Sequence, residues 1–479
     1  MIDLKALYKA KKYSEIIATV NASVDPPLSD IGWRAEAYYL SGDFPNALTD
    51  YQRVIQSQSV DTSFKFFQRA RTTVGKLGLA RDEAEAFWES CSDEPSRQMG
   101  EIVHRVRNGE SDGAVAAFRD EIGKIFSDPV TAQAWTSAFN LLVRGLSGEK
   151  LEPFRPTTPR KKIIVSGTGW SGSGAIFDHL REYPEIHTIV GEATAFEARG
   201  GFRSFISAAT NAQTCIEHST QFFFRNMLGF FPMRTPSCFK ELRTARVNST
   251  DADTALVYAE GASDVVRAIV QLIHSIGGAP ETVTVNLHVL CDMICERMVT
   301  YTAPSDRTVL LDNCIHVRNI SLARYLSNTL ILCCFRDPRT NYVALRREFA
   351  GFNKTVEVFI EDTRKIRKGF SRQFDADLQV DLAAINSHVE VVAFENFVVS
   401  EDFRRRLAAL ANVNPDTRDQ FAYFKPWVSF RNIQLHLDYE DLSEIRLIEQ
   451  ALPAYCVALS ADPQQLPQPA ARDQAPISV

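Results

Sequence analysis

At 479 residues the chain is too long for one small domain and, at roughly 150 residues per domain, holds about three, or two if one is large. Hydrophobic residues make up 45% and charged residues 23%, a globular composition that excludes bulk disorder. The formal net charge of −6 carries no global basic excess, so no nucleic-acid partner is expected and any anionic ligand needs a local cluster of cations.

The chain opens MIDLKALYKAKKYSE, where Lys5, Lys9, Lys11 and Lys12 interrupt the apolar run an export signal needs. Apolar stretches such as Thr329 to Phe335 fall far short of the roughly 18 residues that cross a bilayer, so no transmembrane segment is expected. Nine cysteines, an odd number without repeated short spacing, read as free thiols and hence a cytoplasmic protein. Cys291 and Cys295 lack a matching His or Cys pair, so no metal site is expected.

Residues 1–146 carry an internal repeat. Gly42, Ala47 and Tyr51 are echoed by Gly78, Glu83 and Phe87, then by Gly109, Ala114 and Phe118, always at spacings of five and nine. The pattern predicts stacked helical hairpins: glycine at the turn, a small residue at the helix crossing and an aromatic one turn later on the same face. The stretch GWRAEAYYLSGDFPNALTDYQRVI, residues 32–55, resembles a tetratricopeptide repeat, which implies a domain able to recruit a protein partner; a generic helical bundle is the alternative.

Residues 147–160 hold three prolines and no apolar period, and read as a linker. In residues 161–460 short β-rich runs alternate with helical stretches: Lys162 to Val165, His187 to Val190, Thr308 to Leu311, Thr329 to Phe335 and Val389 to Phe394. That alternation predicts an α/β domain with a parallel, doubly wound sheet. A mostly helical insertion, 195–304, is placed to shape a substrate pocket, and the Pro- and Gln-rich end, 461–479, reads as disordered.

Three stretches carry chemistry. After the first strand, SGTGWSGSGA (Ser166, Gly167, Thr168, Gly169, Trp170, Ser171, Gly172, Ser173, Gly174 and Ala175) leads into a helix. Glycines let successive backbone N–H groups turn toward an anion, and the helix N-terminus adds its positive end. The spacing of Gly167 and Gly172 matches a Walker A loop, but Ser173 and Gly174 stand where Lys and Ser/Thr belong, which disfavours an ATPase. The second stretch is the strand-to-helix junction Arg336-Asp337-Pro338, with Asn341 one turn on. Arg336 emerges at the sheet's carboxyl edge, where ligands of open α/β sheets collect; an Arg–Asp helix cap is the alternative. The third holds Ser429, Arg431 and Asn432 in a polar loop before the last helix.

In this order the three stretches resemble the sulfotransferases that use 3′-phosphoadenosine 5′-phosphosulfate (PAPS). The resemblance covers roughly Lys161 to Leu459 and implies a P-loop-like α/β fold. It also implies a 5′-phosphosulfate at Ser166 to Ala175, a 3′-phosphate at Arg336, and cofactor contacts from Ser429 to Ile433. FENF around Glu395 looks like the family's Tyr-Glu-Asp strand end. The chain departs from the family by lacking Lys or Arg between Gly167 and Gly174, and by carrying Ala344 where a Ser is usual; Asn341 or Ser429 would replace that hydroxyl. The resemblance implies a PAPS-dependent sulfotransferase, moving a sulfuryl group to a hydroxyl acceptor, a carbohydrate or a peptide. Such transfer needs positioning, charge stabilisation and a base for the acceptor hydroxyl. Glu192, at the second strand's end, is the first candidate base, with Asp312 and His316 as the others. Two alternatives stand beside this reading: a repeat-bearing adaptor whose α/β domain is inactive, and a nucleotide-dependent kinase or NTPase using the same loop.

Overall fold

The computed structural model describes residues 3–56, 60–80, 83, 87, 94–152, 159–192, 196–197, 201–228, 252–348, 352 and 354–457. The chain forms two compact units, Met1–Leu151 with Ile216–Val266, and Glu152–Cys215 with Arg267–Val479. The tail 461–479 and residues 153–158 of the expected linker lie outside the described residues.

The first unit is helical. Its N-terminal part runs through α1 (Leu4–Lys9), α2 (Tyr13–Asn21), α3 (Leu28–Leu40), α4 (Phe44–Gln56), α5 (Val60–Leu77), α6 (Glu94–Arg107), α7 (Ser111–Ile125) and α8 (Pro129–Leu146). Neighbours in sequence are neighbours in space from α2 to α5 and from α6 to α8. The repeated glycines end helices: Gly42, Gly78 and Gly109 all have positive φ, 82°, 61° and 78°. After α3 the Asp43 N–H bonds back to the Tyr38 carbonyl, and after α6 the Glu110 N–H bonds back to Arg105, the six-to-one closure that a left-handed residue permits. Ala47, Tyr51, Ala114 and Phe118 are fully buried, as a small-then-large packing face requires. Buried Glu36 accepts from the Tyr51 hydroxyl at 3.0 Å and lies 3.4 Å from Arg69.

The expected insertion reads as helices where it is described: α10 (Phe202–Ala208), α11 (Ala212–Phe222), a π-turn at Phe223–Met227, α12 (Ala252–Ser275) and α13 (Pro280–Ile294). Phe222, Phe223 and Phe224 are fully buried, and Phe223 and Phe224 pack on Phe118 and Phe139 within the first unit. They are core, while Phe230 and Phe231 lie outside the described residues.

The second unit is built on five parallel strands: β1 (Lys162–Gly167), β2 (Ile186–Glu192), β3 (Thr308–Asp312), β4 (Thr329–Phe335) and β5 (His388–Ala393), in spatial order β2-β3-β1-β4-β5. β1 and β4 are buried along their whole length, which is why neither shows the in–out alternation of a half-exposed strand. Ile163, Val165, Leu332 and Val392 form one core with Ile176 and Leu180 of α9 (Ser173–Leu180) and Phe397 of α17 (Phe394–Val399). Between these helices the chain adds α14 (Pro338–Glu348), α15 (Val356–Gln373) and α16 (Ala376–Ala384), and after α17 it adds α18 (Glu401–Ala411), α19 (Pro426–Phe430) and α20 (Leu442–Ala451). The chain winds from β1 toward β2 on one side and from β4 toward β5 on the other. The crevice outside the carboxyl ends of β1 and β4 is therefore the switch point where such sheets take ligands. No helix among the described residues is long and apolar enough to cross a membrane.

Candidate functional site

The glycine-rich turn leaves β1 at that switch point. Ser166 Oγ donates to the Ile315 carbonyl, and the Gly167 N–H donates to Asn313 Oδ1 at 3.1 Å. Glycine is obligatory at 167 and 172 for space. A Cβ on Gly167 would lie 2.1 Å from Ser171 Oγ, and one on Gly172 would lie 2.2 Å from the Phe394 ring, with Gly172 also at φ 89°. Gly172 caps α9 and its carbonyl accepts from the Ala175 N–H at 3.1 Å, so of the first turn the N–H groups of Ser173 and Gly174 face out of the helix. Ser171 Oγ is buried without a hydrogen-bond partner. Trp170 is held at φ 62°, a conformation bulky residues seldom take, with its side chain 44% exposed.

That strained turn is fastened from outside. The Trp170 carbonyl accepts from Arg336 Nη1 at 3.0 Å and from Asn341 Nδ2 at 3.0 Å; Asn341 also donates to the Gly169 carbonyl at 3.2 Å. Cys334 Sγ donates to the Ser171 carbonyl at 3.2 Å. Arg336 Nη2 donates to the Asn432 carbonyl, so one guanidinium joins the first stretch to the third. Asn341 thus holds the turn from outside. Of the third stretch only Asn432 reaches the turn's anchor, through its backbone. The Ser429 carbonyl accepts from the Asn432 N–H at 2.9 Å, and Arg431 is exposed at the end of α19.

The cap reading applies to Asp337 alone: it accepts from the Arg339 N–H at 2.9 Å, pairs with the Arg339 guanidinium at 2.8 Å and receives the Val457 N–H at 2.7 Å. The Asp337 N–H donates to Glu395 Oε1 at 2.8 Å, which ties the end of β5 to the end of β4. Burial raises the Glu395 pKa and pulls the Arg336 guanidinium down to about 10. Arg336 has no carboxylate within ion-pair distance among the described residues. A guanidinium carries five N–H donors, of which two are used on carbonyls, so three remain.

The candidate bases lie across the turn. Glu192 ends β2 in register with Asp312, and Asp312 is in register with Val165, so both stand at the edge from which the turn leaves; the Glu192 side chain lies outside the described residues. His316 caps the next helical turn. Its Nδ1 accepts from the Arg318 N–H at 3.1 Å, and burial followed by Arg318 lowers its pKa. Lys161 and Lys162 start β1 at the opposite end of the sheet; buried Lys162 pairs with Glu296 at 3.2 Å, so neither supplies the missing loop cation.

Sequence reasoning missed a cavity of about 200 Å³ that begins at Thr168 and Gly169 and runs under α14 and α15. Arg318, Lys354 and Arg367 line it beside Arg336, with Phe335 and Phe359 among its apolar walls. Arg318 and Arg367 sit on helical segments where a cation reads as a solvated face. The one available signal was the cluster of five basic residues in TRKIRKGFSR, from Thr363 to Arg372. Among the described residues the expected insertion contributes none to this cavity's lining.

No family model matches the chain, and no curated protein matches it. Among solved structures it is similar to the sulfotransferase STF1 from Mycobacterium tuberculosis H37Rv, with 11% identity and a TM-score of 0.30, over 78% of this chain and 99% of that one. At that score the likeness carries no argument, and the function must rest on the site itself.

Proposed function

We propose that the second unit is a PAPS-dependent sulfotransferase acting on a hydroxyl acceptor. One observation carries the reading: Arg336 hydrogen-bonds the Trp170 and Asn432 carbonyls together, so the three stretches expected to hold the nucleotide converge at the switch point of the sheet. The chain's groups fit a doubly anionic nucleotide. The buried, unpartnered Ser171 hydroxyl and the open N–H groups of α9 suit one anionic end, and the three remaining donors of Arg336, buried without a carboxylate, suit the other. When bound, the nucleotide supplies an activated sulfuryl group. The chain's part is to fix the turn through Arg336 and Asn341 and to offer the Glu192–Asp312 carboxylate pair as the acceptor for the hydroxyl proton. The N-terminal helices are proposed to form a tetratricopeptide-like array that recruits a protein partner.

A second reading, the kinase or NTPase, has one observation in its favour: Asp312, beside the root of the turn, stands where a carboxylate could hold Mg²⁺. A thermal-shift comparison separates the two. The desulfated nucleotide 3′-phosphoadenosine 5′-phosphate, at about a hundred times its dissociation constant, should stabilise the protein by about 2.7 kcal/mol. A shift with ATP and Mg²⁺ but none with that nucleotide overturns the sulfotransferase reading.

A further inference from the structure

We propose that the cavity beneath α14 and α15 takes the acceptor, and that the acceptor is a small hydroxyl-bearing aromatic compound with a negative charge of its own. The assignment rests on the sulfuryl-transfer reading and adds to it the class of substrate.

Placement comes first. Phe335, at the end of β4, and Arg336, the next residue, both line the cavity, together with Pro338 and Asn341. The Arg336 guanidinium lies over the Phe394 ring and bonds the Asn432 carbonyl, while Phe335 lines the cavity against Arg367 and Phe370. Thr168 and Gly169 belong to the cavity and to the glycine-rich turn alike. A molecule anchored by Arg336 and α9 and a second molecule in the cavity would therefore meet at the turn. In the transfer, a bond forms between the acceptor oxygen and sulfur while the sulfur–oxygen bond to the donor's phosphate breaks. The electron pair stays on that phosphate oxygen, and the hydroxyl proton passes to a carboxylate at the sheet edge.

The lining then sets the chemistry. Lys354 is bound by Asp362, the carboxylate of the lining, leaving the other cations to the ligand. Arg367 stacks 3.9 Å over Phe335 and 4.9 Å over Tyr455, and among the described residues neither it nor Arg318 has a carboxylate within ion-pair distance. Arg367 Nη2 donates to the Arg336 carbonyl at 3.3 Å, and the donors left on a guanidinium oriented by two rings suit a carboxylate, phosphate or sulfate. Phe352, Phe359 and Ile366 make the remaining wall apolar, suited to a ring. At about 200 Å³ the cavity is smaller than pockets that bury a drug-sized ligand, roughly 300 Å³ and up, so it admits one ring system rather than an oligosaccharide.

The test is calorimetric titration of the full chain, saturated with 3′-phosphoadenosine 5′-phosphate, using para-hydroxybenzoate and its uncharged counterpart para-cresol. The hydroxybenzoate should bind about tenfold more tightly, and Arg367→Gln should remove most of that preference by weakening hydroxybenzoate far more than para-cresol. Arg318→Gln, at an exposed position that bears no core packing, should reduce the same preference, and Arg367→Lys should retain part of it. Equal binding of the two compounds, or equal loss of both in each Gln variant, overturns the proposal while nucleotide stabilisation leaves the donor reading standing. Nucleotide binding that fails outright overturns both.

Discussion

Two cations are buried at opposite ends of the same sheet, and they are treated differently. At the amino end Lys162, fully buried, has Glu296 at 3.2 Å, Asp292 at 3.9 Å and the Arg160 carbonyl at 3.2 Å. Burial alone would lower its pKa, but Cys295, Asp292 and Glu296 outweigh it and the pKa is raised. At the carboxyl end the Arg336 guanidinium hydrogen-bonds backbone carbonyls alone, Glu395 and Asp337 act on it without forming an ion pair, and burial prevails. A buried cation held in an ion pair is scaffold, whereas one without an ion-pair partner marks where an anion from outside would be stabilised.

The sharpest way to break this contrast is at the amino end. Glu296 also takes Arg160 Nε at 2.7 Å, so Glu296→Ala leaves two cations short of a partner in a buried place. It should cost about 3–5 kcal/mol, read by denaturant unfolding, with nucleotide binding intact in whatever fraction stays folded. A loss below about 1 kcal/mol would mean that the pair is not the scaffold described.

At the carboxyl end Arg336→Ala removes two charge-assisted hydrogen bonds to carbonyls and should cost about 2–3 kcal/mol. It should also abolish stabilisation by 3′-phosphoadenosine 5′-phosphate. Retained stabilisation in the variant would reduce Arg336 to a clamp for the turn and remove it from the proposed nucleotide site.

The glycines sharpen the comparison by one residue type used for two reasons. Gly42 and Gly172 have nearly the same φ, 82° and 89°, but a Cβ at 42 meets nothing within 4 Å while one at 172 meets the Phe394 ring. Gly42→Ala should cost about 1 kcal/mol, the left-handed penalty alone. Gly172→Ala should cost more, about 2 kcal/mol, and weaken nucleotide binding because Phe394 must move. Equal unfolding free energies for the two variants would show that the turn yields without strain.

Much of this was legible in the sequence because it is local. Strand β4 is a continuous apolar run and was expected to the residue, β1 was expected over 162–165 and runs two residues further, and the glycines at 42, 78 and 109 announced helix ends by spacing. What the sequence hid is nonlocal. Lys162 and Glu296 are 134 residues apart, and Arg318 and Arg367 reach one cavity from separate segments whose cations look like ordinary solvated faces. The direction of Arg336 could not be read either: strand-to-helix junctions place the Cα, but only the carbonyls of Trp170 and Asn432 decide where the guanidinium points.

A third buried basic group, His179 in α9, tests whether the packing behind the turn also depends on charge. Its Nδ1 is 2.6 Å from Arg418 Nη1, which can only donate, so His179 accepts there and is neutral. Burial first, then Arg418 and Arg404, lowers its pKa well below the ordinary value. As pH falls through about 6.5 the unfolded chain binds a proton at this residue while the folded chain does not, so stability is full above that pH and declines below it. His179→Asn keeps an acceptor for Arg418 without a titrating ring, so it should flatten the fall in melting temperature between about pH 7 and pH 5. The other histidines with lowered values leave a residual slope, which makes this the smallest of the effects. An unchanged slope in the variant would mean that the ring at position 179 is protonated in the folded state, and that the Arg418 contact does not form as described.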